Sequence, residues 1–165
     1  MNPERRPSLL AGGYTFFTVA LWAGVLPAAL LRDDDGVFRL GWRPWPLVVL
    51  GALVLLAGTA LVFAAGRQLS GAGVRLMGVR PGPALVTGGL YGVVRNPVHV
   101  GTTLVAMAPA VALGPRVMWM LPLVAAVWLV VGLEPLEDRR LLEAFGDEFR
   151  QYRATVWAWI PRWRR

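Results

Sequence analysis

Cysteine is absent from all 165 residues, lysine is absent too, and histidine occurs once. The first absence excludes disulfides and thiolate metal ligation. With a single histidine, a protein-only zinc site is not expected either, since such sites usually draw on several His or Cys ligands. Charge is also scarce. Only 16% of residues are charged, against roughly a quarter in a soluble domain. What fills the chain is apolar: 56% hydrophobic, with mean hydropathy +0.52. That balance describes a polytopic membrane protein of one small domain, residues 1–165.

All 17 basic residues are arginine, and the formal charge is +7. No basic stripe interleaved with aromatics lies in a soluble segment, so the excess does not indicate nucleic acid. Arginines flanking apolar spans instead suit membrane lipids, through anionic headgroups and topology.

Four apolar segments stand out: Leu9–Leu31, Trp45–Gly66, Val98–Gly114 and Val117–Leu133. The first is long enough to cross a bilayer core and lacks a small-residue cleavage site, which argues against a removable signal. The third and fourth follow each other so closely that they predict an antiparallel helical hairpin. With these spans, thirteen arginines fall on the side of both termini and the central loop, and four on the other, beside the acidic run Asp33–Asp35. The positive-inside rule places both termini in the cytoplasm. The fold class expected is all-α: about four transmembrane helices plus a C-terminal amphipathic helix, with no Rossmann domain. Residues 1–44 form an extra span and loop, 45–133 the core spans, and 134–165 a cytoplasmic helix and tail.

The C-terminal helix is expected after a break or kink at Pro135. Leu141, Phe145, Phe149 and Tyr152 make an apolar stripe at helical spacing, while Arg139, Glu143, Asp147 and Arg150 take the other side, with Arg139 and Glu143 spaced to pair. "VWAWIPRWRR" mixes tryptophan with arginine, as membrane interfaces do. Glu137 and Asp138 lie four residues before Leu141 and Leu142, near the inward edge of the helix. Two readings stay open for them: an acidic first turn that complements the helix dipole or pairs with Arg139 and Arg140, or carboxylates turned inward toward a donor. Glu134, one turn earlier, is a third candidate that spacing does not separate from the pair.

The most polar cluster of the apolar half is "LYGVVRNPVHVG", Leu90–Gly101. Gly88, Gly89 and Gly92 mark a loop where backbone can come close to a ligand, and Pro97 suits the first turn of the third span. Arg95 beside that helix start suits an anionic group. Equally, Arg95 could snorkel to lipid phosphate, Asn96 could cap the helix, and His99 could pack at the interface. "GAGVRLMG" has Leu76 where a dinucleotide fingerprint needs its third glycine. Neither GxSxG nor HExxH occurs.

Two stretches carry a resemblance. "LVTGGLYGVVRNPVHVG", Leu85–Gly101, resembles the "LvttGpYryvRHPmYvG" or "RNPmYlG" signature of the isoprenylcysteine carboxyl methyltransferase family, with its bacterial relatives and the phospholipid methyltransferases. "EDRRLLEAFGDEFRQYRATVWAWIPR" resembles that family's second signature, "EExxLxxxFGxeYxxYxxxVpxwiP". The likeness covers roughly residues 50 to 162. His99 stands where the family usually has Tyr, Asp138 where it usually has a second Glu, and "GGLYG" lacks the common proline.

The resemblance implies an integral membrane methyltransferase, in the inner membrane of a bacterium, that uses S-adenosyl-L-methionine. Its acceptor would be a small membrane-soluble carboxylate, thiol or lipid amine. Carried over by position, Tyr91, Arg95, Asn96, Pro97 and His99 would line one side of the cofactor, and Glu137 and Asp138 the other, with Leu141 and Tyr152 in support. Arg95 and His99 would be the catalytic residues, and no metal is expected. Two other classes stay open: a non-catalytic membrane protein that keeps the fold as an assembly partner, and a nicotinamide-binding relative of the membrane sterol reductases.

Overall fold

The computed structural model describes residues 44–74, 82–113 and 119–161, and all the regular structure among them is helical. The expected first span and its loop lie outside the described residues. In order come α1 (Trp45–Gly71), a single turn α2 (Leu90–Val93), α3 (Pro97–Leu113), α4 (Met120–Val127), a π-helical stretch (Trp128–Leu133) and α5 (Glu134–Thr155). Only α1, with 27 residues, is long and apolar enough among the described residues to cross a membrane. At 1.5 Å per residue it reaches about 40 Å. The apolar helix α3 is shorter, at 17 residues.

The main interface joins α1 to α3, and small residues make it. Gly51, Gly58 and Ala65 recur every seven residues on α1 and are buried; Gly51 faces Ala108 and Ala112 of α3, and Gly58 faces Gly101. A Cβ placed on Gly58 would lie 2.8 Å from the Gly101 carbonyl oxygen and 2.9 Å from Leu104 Cβ. The two backbones thus touch, as helices do in lipid where close packing replaces the hydrophobic drive. The opposite face of α1 leaves Trp45, Leu53, Leu56 and Phe63 largely exposed. Within apolar α3 the hydroxyls are satisfied locally: Thr102 donates to the Val98 carbonyl and Thr103 to that of His99, both at 2.9 Å.

No break occurs at Pro135. The α4 helix passes into the π stretch and on into α5 with helical backbone throughout, and the Glu134 amide donates to the Leu129 carbonyl. Proline removes one donor and crowds the preceding turn, and widened π turns absorb both effects. The kink falls instead at Gly146 (φ 52°, ψ −118°), a conformation that favours glycine. Nor do Arg139 and Glu143 pair: both are exposed, and the surface pair on this helix is Arg150 with Asp147.

Candidate functional site

The polar loop is held from α1. Gln68, near the end of that helix, donates its amide to the Gly88 carbonyl (2.5 Å) and accepts from the Leu90 amide (3.1 Å). Gly89 turns around this clamp at φ 56°, and a Cβ there would sit 2.7 Å from the Gln68 amide atoms. The glycine pair therefore serves the clamp. Gln68 carries no family signature, and only the contact itself reveals it.

From α2 the chain runs extended through Val94. A second extended segment lies beside it: after Val156 (φ −117°, ψ 122°) the C-terminal chain doubles back. The Arg95 amide donates to the Trp157 carbonyl at 2.8 Å and the Asn96 amide to that of Ala158 at 3.0 Å. This strap explains part of the tryptophan–arginine tail. Trp157 and Ile160 stay exposed, as an interface would want, whereas Trp159 turns inward.

Arg95 is the centre of the arrangement, with only 7% of its surface exposed. Its Nη2 donates to Glu134 at 3.0 Å and to Asp138 at 3.2 Å, and its guanidinium lies 5.9 Å from the ring of fully buried Phe149. Glu134 also accepts from the Trp159 indole at 2.8 Å, and Asp138 faces Arg153 at 3.5 Å. The inward reading of the acids is the one realised. The dipole reading fails because α5 continues an existing helix and has no free N-terminus. Glu134 proves to be Arg95's nearer acid, and neither Arg139 nor Arg140 closes a salt bridge with the carboxylates, although the Arg140 charge is felt by Glu137. The expected role of Arg95 changes accordingly: its charge is already matched within the chain.

Around this brace the other candidates gather. Tyr91 is buried, and its carbonyl accepts from the Tyr152 hydroxyl at 2.6 Å. Pro97 is fully buried and opens α3. His99, 6% exposed, directs Nε2 to Glu137 at 3.5 Å and tilts its ring 5.9 Å from that of Trp159. Leu141 lies half-buried on α5, one turn past Glu137. Among the described residues, three buried side-chain nitrogens have no partner: Arg95 Nε, Asn96 Nδ2 and His99 Nδ1. Asn96 thus offers the helix its backbone carbonyl, which accepts from Val100, and keeps its side-chain amide unspent.

Burial pushes the Tyr152 phenol up to about 12 against the pull of Arg95, and raises Tyr91 further with the Glu137 charge adding. Burial likewise raises Asp138, although Arg95 and Arg153 oppose it. Glu137 is pushed up to about 7, first by burial; Arg140 opposes, while Asp138 and Glu134 add. Its side chain keeps 41% exposure, so water screens part of this effect and the upward direction is what matters. A folded carboxyl that keeps its proton longer than the unfolded one stabilises the fold at low pH. That contribution is fully present below the unfolded value and is lost as pH rises through the folded one. Thermal unfolding of the ligand-free protein should therefore move to lower temperature as pH rises from about 4.5 toward 7. The same series on Glu137→Gln should show a shallower decline. Equal slopes would remove Glu137 as the source.

A helix long and apolar enough to cross a membrane, with a buried arginine–carboxylate–imidazole cluster where its neighbours end, defines an all-helical protein with a polar site seated at the helix ends. Residues 46–148 match the phospholipid methyltransferase family, and the chain belongs to that family. It is similar to methanethiol S-methyltransferase 1 of Bradyrhizobium diazoefficiens, with 36% identity over 83 residues, half of this chain. That stretch spans 28% of the relative's length.

Proposed function

We propose that this chain is an integral membrane methyltransferase that transfers the methyl group of S-adenosyl-L-methionine to a small hydrophobic or amphipathic acceptor dissolved in the bilayer. In this reading four helices span the bacterial inner membrane, both termini and the site face the cytoplasm, and membrane lipids surround the exposed face of α1. The observation that carries it is the meeting of the two signature stretches, Arg95 and His99 from one with Glu137 and Asp138 from the other, joined by Glu134 from the turn just ahead of the second, all within 3.5 Å contacts.

The residues suit the cofactor. It brings a carboxylate, an ammonium, hydroxyls and ring nitrogens. The site keeps two donors unspent, Arg95 Nε and Asn96 Nδ2, and one Glu137 oxygen without a partner among the described residues. Donors match carboxylate or ring acceptors, and a carboxylate matches hydroxyl or ammonium donors. Tyr91, Asn96, Pro97, Glu137 and Leu141 would hold it. Asp138, Glu134 and Tyr152 would act by fixing Arg95 and the α2 backbone. When bound, the cofactor supplies an already activated methyl group on a sulfonium sulfur. The chain's task is then to hold the acceptor in line and keep water out, the kind of positioning that can account for much of a rate. The acceptor classes are a thiol, a lipid amine and a carboxylate. The relative named for a thiol substrate keeps the first in view, and the family name keeps the second.

Calorimetric titration of S-adenosylhomocysteine into the detergent-purified protein tests the reading. Saturable binding near micromolar, weakened at least tenfold in Glu137→Gln, is expected. No binding by well-folded protein would favour a non-catalytic assembly partner.

A further inference from the structure

His99 is the one histidine of the chain, and its surroundings fix more than its presence. One ring nitrogen faces a carboxylate; the other is buried and has no partner among the described residues. A carboxylate can only accept, so in the neutral ring the proton belongs on Nε2, toward Glu137. Nδ1 is then left as a bare lone pair in an enclosed place. Leaving a buried polar atom unmatched is costly, and such an atom in a folded protein calls for an explanation, often a partner still to arrive. A bare imidazole nitrogen can receive only a donor. Trp159 covers the ring at 5.9 Å, and Glu134 holds Trp159 through its indole N–H. The imidazole is thus set between an orienting carboxylate and an aromatic lid. The 3.5 Å separation from Glu137 is long for a closed hydrogen bond, as catalytic pairs commonly are before their substrates are in.

We propose that His99 is the general base of the transfer, taking through Nδ1 the proton of a thiol acceptor while Glu137 orients the ring from Nε2. This rests on the methyltransferase reading and names its acceptor class. The choice of thiol follows from the base. A carboxylate is already ionised at neutral pH and needs no proton acceptor. An alkylammonium, near pKa 10.4, gives up its proton to any imidazole less readily than a thiol, near 8.5. Proton transfer is most effective when donor and acceptor are close to one another and to the working pH. In the step, the S–H bond breaks and its proton goes to Nδ1. The electron pair left on the acceptor sulfur forms the new S–C bond to the methyl carbon. The bond from that carbon to the sulfonium sulfur breaks, and its pair returns to that sulfur, leaving two neutral thioethers and one proton, which water takes up on product release.

Protonation of Glu137 would reverse the tautomer, because a neutral carboxyl can donate to Nε2 and leave the ring proton on Nδ1. Thiol methylation should therefore rise with pH through the range in which Glu137 ionises. The groups that set this range among the described residues are Tyr91 on α2, Glu134, Asp138 and Arg140 on α5, and His99 itself on α3; the described part of the strap adds the uncharged Trp159.

The sole histidine makes the test direct. The full chain is labelled with ¹⁵N-histidine, purified in detergent and saturated with S-adenosylhomocysteine. Long-range proton–nitrogen correlations then identify which ring nitrogen is unprotonated at pH 8. The expected result is a bare Nδ1 that moves toward the protonated shift when a short alkanethiol is added. His99→Gln should retain S-adenosylhomocysteine affinity within about threefold and lose at least 100-fold in thiol methylation. A proton on Nδ1 in protein that binds S-adenosylhomocysteine would overturn the role of His99 and leave the methyltransferase reading standing. So would His99→Gln with affinity reduced as far as turnover, which would make the ring a cofactor ligand. Absence of S-adenosylhomocysteine binding in the wild-type chain would sink both.

Discussion

Arg95→Met is expected to lower stability by about 3 kcal/mol and to abolish S-adenosylhomocysteine binding. The residue bridges Glu134 and Asp138 with one nitrogen, and the acids' side chains are only 16% and 13% exposed. Removing one member of a buried charge network leaves the others uncompensated, typically at a cost of about 3–5 kcal/mol. Two features place this case at the lower end. Glu134 keeps the Trp159 indole, and Asp138 keeps Arg153, a partner on the solvent side. Burial also raises Asp138, so it can relieve part of the penalty by taking up a proton. Equilibrium unfolding in mixed micelles gives the energy and calorimetry the affinity. A loss under about 1 kcal/mol would mean that helix packing, and not the ion network, keeps the two signature stretches together.

The second large effect lies far from any charge. Gly58→Leu should destabilise the helix pair by about 2–3 kcal/mol or more, because the clash begins at the Cβ. That atom would stand 2.8 Å from a backbone oxygen and 2.9 Å from a backbone nitrogen of α3, Val105. Rotamer changes cannot relieve contacts of this kind, so the helices must separate. Overpacking a well-filled interior costs about 1–3 kcal/mol even where side chains can yield. Gly71→Ala is the control: nothing lies within 4 Å of its would-be Cβ. If the two variants unfold alike, the glycine seam is not what joins α1 to α3.

Hydropathy located the long elements. The expected spans at 45–66, 98–114 and 117–133 became α1, α3 and the run from α4 through the π stretch, each within a few residues except where α1 continues to Gly71 and α4 starts at Met120. An apolar run has a length, and length survives translation into structure. The partner of a carboxylate was less legible. Glu134, Glu137 and Asp138 stand at i, i+3 and i+4, so helical spacing puts all three on one face. Which of them meets Arg95 depends on the angle at which α5 approaches the loop. The π turns help set that angle, and their widened register has no sequence signal comparable to a proline or a cap. Gly146 was visible as a residue but read as part of a continuous stripe, because Phe145 and Phe149 keep helical spacing across it. Gln68 and Trp159 were missed for a third reason. Each acts through contacts across twenty or more positions, and local pattern carries no information about such contacts.

The strap over the first signature ties together stretches of chain about sixty positions apart. Its backbone contacts there include two hydrogen bonds, those given by the Arg95 and Asn96 amides. Segments held by so few bonds open more readily than the helices they lie against, and they do so as cooperative local units. Each opening releases those two hydrogens to solvent and uncovers His99 by carrying Trp159 away. The exchange rate of two amides thus clocks how often the site is unroofed. A slow clock would confine reagents to the bilayer side, while a fast one would give the cofactor a route in and out through the water.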